Sequence, residues 1–516
     1  MARIIQTADL TESRIAALAS NDRDWIYNGL DCCVTLEILG TIKPQLDDLS
    51  KKTYAFSLAL QGPVMEMQVR GVRIDLERRN QVLAEYLEKI RRVGTNLTRI
   101  VKEGVGVDLN WRSPKQLGQL LYDVMGIPAI RKRSVTGRMV RTTDRDALER
   151  LQNYYFAEPI CLHILALRDL DKKRQFLETQ IDADKRIRCN FNIAGTNTGR
   201  LASSVSDFST GRNLQNIDTS LRSVFIADPG MKMANLDLEQ ADSRNLGALC
   251  WNLFVESHGP QFAGAYLDAC ESGDLHTKVC QMANPELAWT NDPKTNRAIA
   301  DVIYYRGKTY RDKAKTLGHG TNFIGQAPTM ARHSKFPVND IRVFMSNYFA
   351  AFPCISEYHK YVRYQLQHFG HLVTLLGRRR FFFGRYKDEK TVREAVAYSP
   401  QSMTADEIDT GIMELFHTGR VQLLIQVHDS ILFQFPEELE DIIIPWAIKA
   451  LTVRVPLLDN REYNVPVEAK TGWNWGDKKE SNPGGLVNYT GTDLRTRPKR
   501  TKPTQLSIRH LLGKPL

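Results

Sequence analysis

MKMANLDLEQADSRNL, residues 231–246, joins a short apolar strand to a helix start and sets carboxylates at the junction. Met231 to Leu236 has the composition of a strand that ends on Asp237, and the run from Gln240 opens a helix carrying Asp242. The complement lies far downstream in VQLLIQVHDSILFQFP, residues 421–436. There two apolar runs flank His428-Asp429-Ser430, the pattern of a buried β-hairpin with its acid at the tip. Taken singly, such an acid is more often a helix cap or a turn residue. Two of them, distant in sequence and each at the end of an apolar strand, suit a pair of divalent cations. Paired cations catalyse phosphoryl transfer by activating one oxygen and stabilising the one that leaves.

Between the two acids stands RDKAKTLGHGTNFIG, residues 311–325. Arg311, Lys315, His319 and Phe323 recur every fourth residue, so on a helix they form one slowly drifting stripe with members about 6 Å apart. Cations, then an imidazole, then an aromatic ring would suit a nucleoside triphosphate, with phosphates at the cationic end and sugar and base at the other. Gly318 and Gly320 each cost a helix about 1 kcal/mol relative to Ala, which predicts close packing against that stretch.

In this order the three segments resemble motifs A, B and C of the family A DNA polymerases, the bacterial polymerase I and phage replicative group. Other stretches fall in the family's order: SPKQL at 113–117, TGRLASSVSDFSTGRNLQNI at 198–217, DLH at 274–276, GHLVTLLGRRR at 370–380 and REAVAYSPQSMTAD at 393–406. The resemblance covers roughly residues 50–476. It implies an α+β right-hand polymerase fold, with a palm built on an antiparallel sheet and largely helical fingers and thumb. The implied divisions are 1–50, a remnant of a 3′–5′ exonuclease domain; 51–185, palm entry and thumb; 186–270, palm with motif A; 271–394, fingers with motif B; 395–477, palm with motif C; and 478–516, a basic flexible tail.

The resemblance further implies template-directed DNA synthesis from dNTPs, in phage or plasmid-type replication or gap filling. Asp237 and Asp429 would hold two Mg²⁺ ions, one acting on the primer 3′-hydroxyl and the other on the triphosphate. Lys315 would protonate the departing pyrophosphate. Arg311, Lys315, His319, Phe323, His276, Gln240 and Asp242 would bind the dNTP. Arg200, Arg244, Arg393, Gln401, His428, Lys115, Asn213 and Gln215 would contact primer-template DNA, some of them through minor-groove acceptors that all base pairs share. Three positions depart from the family pattern. Ser430 follows the motif C acid where Glu is usual. Asp242 replaces the longer Glu of the gate against ribose, and His319 stands where Phe or Tyr is usual.

Composition is consistent with this reading without establishing it. The 516 residues carry a formal charge of +11 and a pI of about 9.1, which favours a polyanionic partner. Eight cysteines form no CxxC pair, as expected for reduced thiols in a cytoplasmic protein without a zinc site. No apolar run approaches the length of a membrane span. Tyr27 and Asp31, in WIYNGLDCCVTLEIL at 25–39, resemble the last exonuclease motif. A two-metal nuclease site needs further acids, so the expectation is a helix packed against the palm, with a separate exonuclease protein as the alternative. In the tail, Gly484-Gly485 reads as a linker opening. Gln505–Leu512 resembles a sliding-clamp docking peptide on a basic tether. Two rival readings remain: a polymerase that is ribonucleotide-tolerant or like the single-subunit RNA polymerases, the latter argued against by Asp242, and a non-catalytic primer-template-binding protein. The expected state is a monomer.

Overall fold

The computed structural model describes residues 11–134, 136–207 and 210–491. Its centre is β1 (Met231–Leu238), the middle strand of a five-stranded antiparallel sheet. The other strands are β2 (Gln422–Val427), β3 (Ser430–Pro436), β4 (Val467–Gly472) and β5 (Val487–Asn488), in the order β2-β3-β1-β4-β5. Ser430 through Phe435 is buried along its whole length, which is why that run is mostly apolar and does not alternate; its buried Gln434 bonds Asp228 and Gln422. Register is unbroken from Ser430↔Asp237 to Pro436↔Met231, so the two acid-bearing ends are held together by seven residue pairs.

The thumb rises from a small three-stranded sheet in which Val72–Ile74 pairs with both Arg186–Ile187 and Phe225–Ile226. The chain thus enters and leaves the thumb side by side. Helix α1 (Leu76–Val105), capped by the Asp75 carboxylate, packs on α2 (Glu158–Leu177). The far half of α1 buries Leu97 and Val101 with Leu117, Leu121, Leu148, Ile164 and Leu167, a core separate from that of palm and fingers. A second core is what a chain of this length requires. The basic segment near 130–141 is a hairpin, Arg131–Arg133 against Met139–Arg141, with all six strand residues exposed.

Five further helices position the site: α3 (Ala241–His258), α4 (Pro260–Glu271), α5 (Leu275–Ala283), α6 (Tyr310–Asn322) and α7 (Glu389–Thr418). The division expected between 394 and 395 falls inside α7, which runs unbroken from the fingers region into the palm core.

Two expectations fail at the chain's ends. The helix Ser20–Ile42 forms, but it does not pack against the palm: Ile26 is its one buried residue, and Trp25, Tyr27 and Asp31 are exposed. Gly484-Gly485 is not a linker opening. Gly484 accepts from the Trp473 amide, and a Cβ on Gly485 would lie 2.5 Å from the Gly476 carbonyl oxygen. The chain there turns back against the sheet and supplies β5, so residues 478–491 belong to the fold. Residues 505–512 lie outside the described residues.

Candidate active site

The β2–β3 hairpin turns through His428 and Asp429, with Val427 and Ser430 paired across it. His428 adopts φ 53°, a left-handed conformation that costs a non-glycine residue about 1 kcal/mol. The turn sets Asp429 beside Asp237, and the Leu238 amide donates to the Asp429 carbonyl over 3.0 Å. On the other flank Glu468 of β4 is in register with Asp237. Burial, then the charges of Asp429 and Glu468, push the Asp237 carboxyl up to about 7. Burial also raises Asp429, against the opposing effect of Arg200. Arg200 Nη2 donates to Asp429 Oδ1 at 2.8 Å and to Asp242 Oδ1 at 2.9 Å, tying motif A and motif C acids to one guanidinium.

Crowded, partly buried carboxylates with raised proton affinity call for positive charge, and their oxygen chemistry fits Mg²⁺. That ion is commonly held by one or two carboxylates together with waters and substrate phosphates. Among the described residues no cluster of three or more His, Cys, Asp or Glu side chains forms a closed metal cage. Asp237 and Asp429 are the residues here that could hold such an ion.

Above the pair lies α6, started by a capping box between Thr309 and Asp312. A cleft of about 450 Å³ is lined by Gln240, Asp242, His276, Lys315, His319 and Asp429, together with Tyr266 and Tyr348. Six residues singled out from sequence thus converge on one cavity. Gln240 reaches it through a left-handed backbone, φ 54°, at the strand-to-helix junction. His276 is held neutral at pH 7, lowered to about 4 by burial and by the Arg311 charge.

Two members of the stripe sit elsewhere. Arg311 is engaged by Asp274, which accepts from its Nε and Nη2, each at 2.8 Å. Burial favours the neutral Asp274 carboxyl, but the bonds from Arg311 and Thr277 outweigh it and hold the group well below the usual carboxylate range. Phe323 is not on the helix: α6 ends at Asn322, and Phe323 caps it with φ −110° and ψ 33°. The chain turns because the Gly325 amide closes on the Gly320 carbonyl at 2.7 Å. The Phe323 ring still meets His319 edge-on, centroids 4.9 Å apart. Close packing at the two glycines is real: Met330 Cε lies 2.8 Å from where a Gly320 Cβ would stand, and Tyr348 is in ordinary contact at Gly318.

The residues assigned to primer-template contact separate by exposure. Lys115, on the short thumb helix Pro114–Gly118, and His428 are exposed, while Arg393 and Gln401 on α7 are half-buried. Arg244 is 5% exposed inside α3, so it does not offer the surface contact expected of it. Asn213 donates to the Ser203 carbonyl, and buried Gln215 donates to the Leu201 carbonyl and to Gln426; both brace the palm in this conformation. Sequence reasoning missed the polar set behind Asp242, namely Asn245, Thr404, Glu407 and Tyr463, all buried. Thr404 and Glu407 are three apart on one helix face, the spacing that could have flagged them.

An antiparallel sheet presenting paired acids, a helix bearing Lys315 above them and a helical thumb with its own core together define a right-hand polymerase fold. The chain belongs to DNA polymerase family A, whose model matches residues 80–477. Over 500 residues it is 27% identical to DNA polymerase I of Deinococcus radiodurans, covering 91% of this chain and 47% of that protein. Over 432 residues it is 28% identical to the thermostable DNA polymerase I of Thermus aquaticus, covering 80% and 46%. The chain thus spans about half the length of the curated relatives it matches. Among solved structures it resembles the POL domain of Pol1 from M. smegmatis in complex with DNA primer-template and dNTP. The TM-score there is 0.65 at 24% identity, over 81% of this chain and 70% of that one, a likeness of fold. No helix among the described residues is long and apolar enough to cross a membrane.

Proposed function

We propose that this chain extends a DNA primer on a DNA template, transferring nucleotides from dNTPs to the 3′-hydroxyl. One observation carries the reading: the register that pairs Asp237 with Ser430 sets Asp429 beside Asp237, and Asp429 lines the same cleft as Lys315 and His319. Asp237 and Asp429 would hold two Mg²⁺ ions, which would supply charge neutralisation at the phosphates and activation of the attacking oxygen. Lys315 neutralises the triphosphate and gives a proton to the departing pyrophosphate. His276, neutral at pH 7, takes part as a hydrogen-bonding group and not as a cation. Arg311 keeps Nε and one Nη2 proton on Asp274, which leaves its Nη1 donors for a phosphate. Asp242, beside Gln240 at the cleft, stands where a 2′-hydroxyl would approach and sets the preference for deoxyribose.

The partners in this reading are primer-template DNA and dNTPs, a sliding clamp engaged through residues 505–512, and a separate exonuclease protein. The setting is phage or plasmid-type replication or gap filling in the cytoplasm, as a monomer. Deleting residues 505–516 should leave distributive extension intact and abolish stimulation by the cognate clamp.

Primer extension with dNTPs or NTPs and Mg²⁺ tests the core of the proposal. Asp237→Ala and Asp429→Ala should each abolish extension while primer-template binding is retained. Wild-type-like extension by either variant would sink the assignment, and equal use of NTPs by the unmodified chain would favour the RNA polymerase reading.

A further inference from the structure

Behind the cleft, four buried polar side chains form a hydrogen-bond relay that ends on Asp242. The Tyr463 hydroxyl donates to Asn245 Oδ1 at 2.8 Å. The Asn245 amide nitrogen then donates to Glu407 Oε2 at 2.9 Å and to Thr404 Oγ1 at 3.1 Å. Thr404 Oγ1 in turn lies 2.9 Å from Asp242 Oδ1. Asn245, Thr404, Glu407 and Tyr463 are each 2% exposed or less, so these four side chains are shielded from solvent.

Its direction can be read from the donor inventory. The Asn245 nitrogen, with two protons to give, faces both Glu407 and Thr404, and its oxygen faces the Tyr463 hydroxyl. One amide proton goes to Glu407, and the second can only go to Thr404. With a lone pair so used, the single Thr404 proton chooses between Asp242 at 2.9 Å and the Pro400 carbonyl at 3.1 Å. The bond to an ionised acceptor is the stronger, and it is also the shorter. The bonds from Tyr463 through Asn245 and Thr404 therefore all point toward Asp242, with Glu407 a side acceptor on Asn245. A donor chain aligned in this way reinforces each of its members.

At its end, Asp242 Oδ1 accepts from both Thr404 and Arg200, and Oδ2 has no such partner among the described residues. A carboxylate pinned at one oxygen has its plane set, so its free oxygen is presented in one direction. Asp242 is also a short acid, with two side-chain torsions to fix and no slack to recover a misplaced approach.

We propose that Thr404 is the positioning residue of sugar discrimination in this chain. Its hydroxyl, oriented by Asn245, Glu407 and Tyr463, aims the Asp242 carboxylate at the ribose 2′ position. The inference rests on the reading of Asp242 as the sugar gate and goes beyond it by assigning what makes a short acid effective there.

The test is single-nucleotide incorporation of dATP and ATP opposite template T, with kcat and KM determined separately. The variants are Thr404→Val, Thr404→Ser, Asp242→Ala and the Thr404→Val/Asp242→Ala double. Thr404→Val keeps the side-chain shape and removes the hydroxyl. It should lower discrimination against ATP about tenfold, the weight of one charge-assisted hydrogen bond, chiefly through a lower KM for ATP. Thr404→Ser should restore wild-type discrimination, and in the double variant the valine should add nothing to Asp242→Ala. If Thr404→Val does not fold, as judged by thermal melting, Tyr463→Phe takes its place and should shift discrimination the same way by a smaller factor. Unchanged discrimination in the folded variant, or full additivity in the double, overturns the proposal. Absence of dATP incorporation by the unmodified chain would instead overturn the polymerase reading itself.

Discussion

Arg200 Nη2 stands 2.8 Å from Asp429 Oδ1, so the motif C acid already has a cation at its side. The same guanidinium bonds Asp242. A divalent ion taken up by Asp429 must compete with this pair or displace it. Arg200→Ala should therefore tighten Mg²⁺ binding to the DNA-free protein by roughly fivefold at pH 8.5, the equivalent of ~1 kcal/mol for a half-buried pair. Isothermal titration checks it. Weaker or unchanged binding would mean that the arginine does not compete for the site. The same variant should still impair extension, because Arg200 also steadies Asp242.

Glu407 gives a pH signature. Burial, against the Asn245 bond and with the charges of Asp406 and Asp242 adding to it, pushes its carboxyl up to about 8, from an ordinary value near 4.5. The folded state thus holds a proton from pH 4.5 to 8 that the unfolded chain gives up near 4.5. Its contribution to stability is greatest below pH 4.5, declines as pH rises through that window and is gone above about 8. Glu407→Gln, neutral at every pH, escapes this decline. The melting temperature of the variant minus that of the wild type should be near zero at pH 5 and grow steadily to pH 8. A difference that is flat with pH would show that Glu407 ionises normally.

Much of this site was legible because its signals are local. An acid at the end of an apolar strand, an acid at a hairpin tip and a four-residue stripe are each visible in one short window. Asp237, Asp429, Lys315 and His319 are where such windows put them. What was not legible depends on long-range pairing. Thr404 and Asn245 are 159 residues apart, and nothing in either segment says that their side chains meet. Phe323 left the helix because Gly320 and Gly325 let the backbone close on itself, a tertiary choice that the i+4 spacing conceals. Arg244 looked like a free cation because a sequence shows charge and not burial. The opposite error, reading the glycine pair at 484–485 as flexible, arose because close backbone packing and a linker demand the same residue.

His319 meets Phe323 edge-on and lines the cleft beside Gly318. Its imidazole is smaller than the Phe or Tyr usual in the family and cannot fill the same space around the sugar. His319→Tyr places a hydroxyl-bearing ring at the nucleotide and should change the ratio of dideoxynucleotide to deoxynucleotide incorporation by about tenfold or more, with primer-template affinity unchanged. Competition between ddATP and dATP on one template measures this. An unchanged ratio would place the sugar elsewhere on α6.

The edge of the palm sheet supplies the last prediction. β5 covers β4 through the pairs Lys470↔Asn488 and Thr471↔Val487, and Leu486 is buried in the main core. The turn leading to it is held by close approach: Leu486 donates to the Gly476 carbonyl at 2.7 Å, and Gly485 lies where no Cβ fits. Ending the chain after Asp477 removes this strand, uncovers the β4 edge and leaves the hole once filled by Leu486, a defect of about 2–5 kcal/mol by analogy with core truncation. The melting temperature should fall by at least about 3 °C, and the bared strand should promote self-association. Gly485→Val should lower the melting temperature in the same way without removing any residue, since a branched side chain cannot enter the contact with Gly476. Melting curves indistinguishable from wild type for both variants would mean that residues 478–491 merely rest on the palm and do not help to hold it.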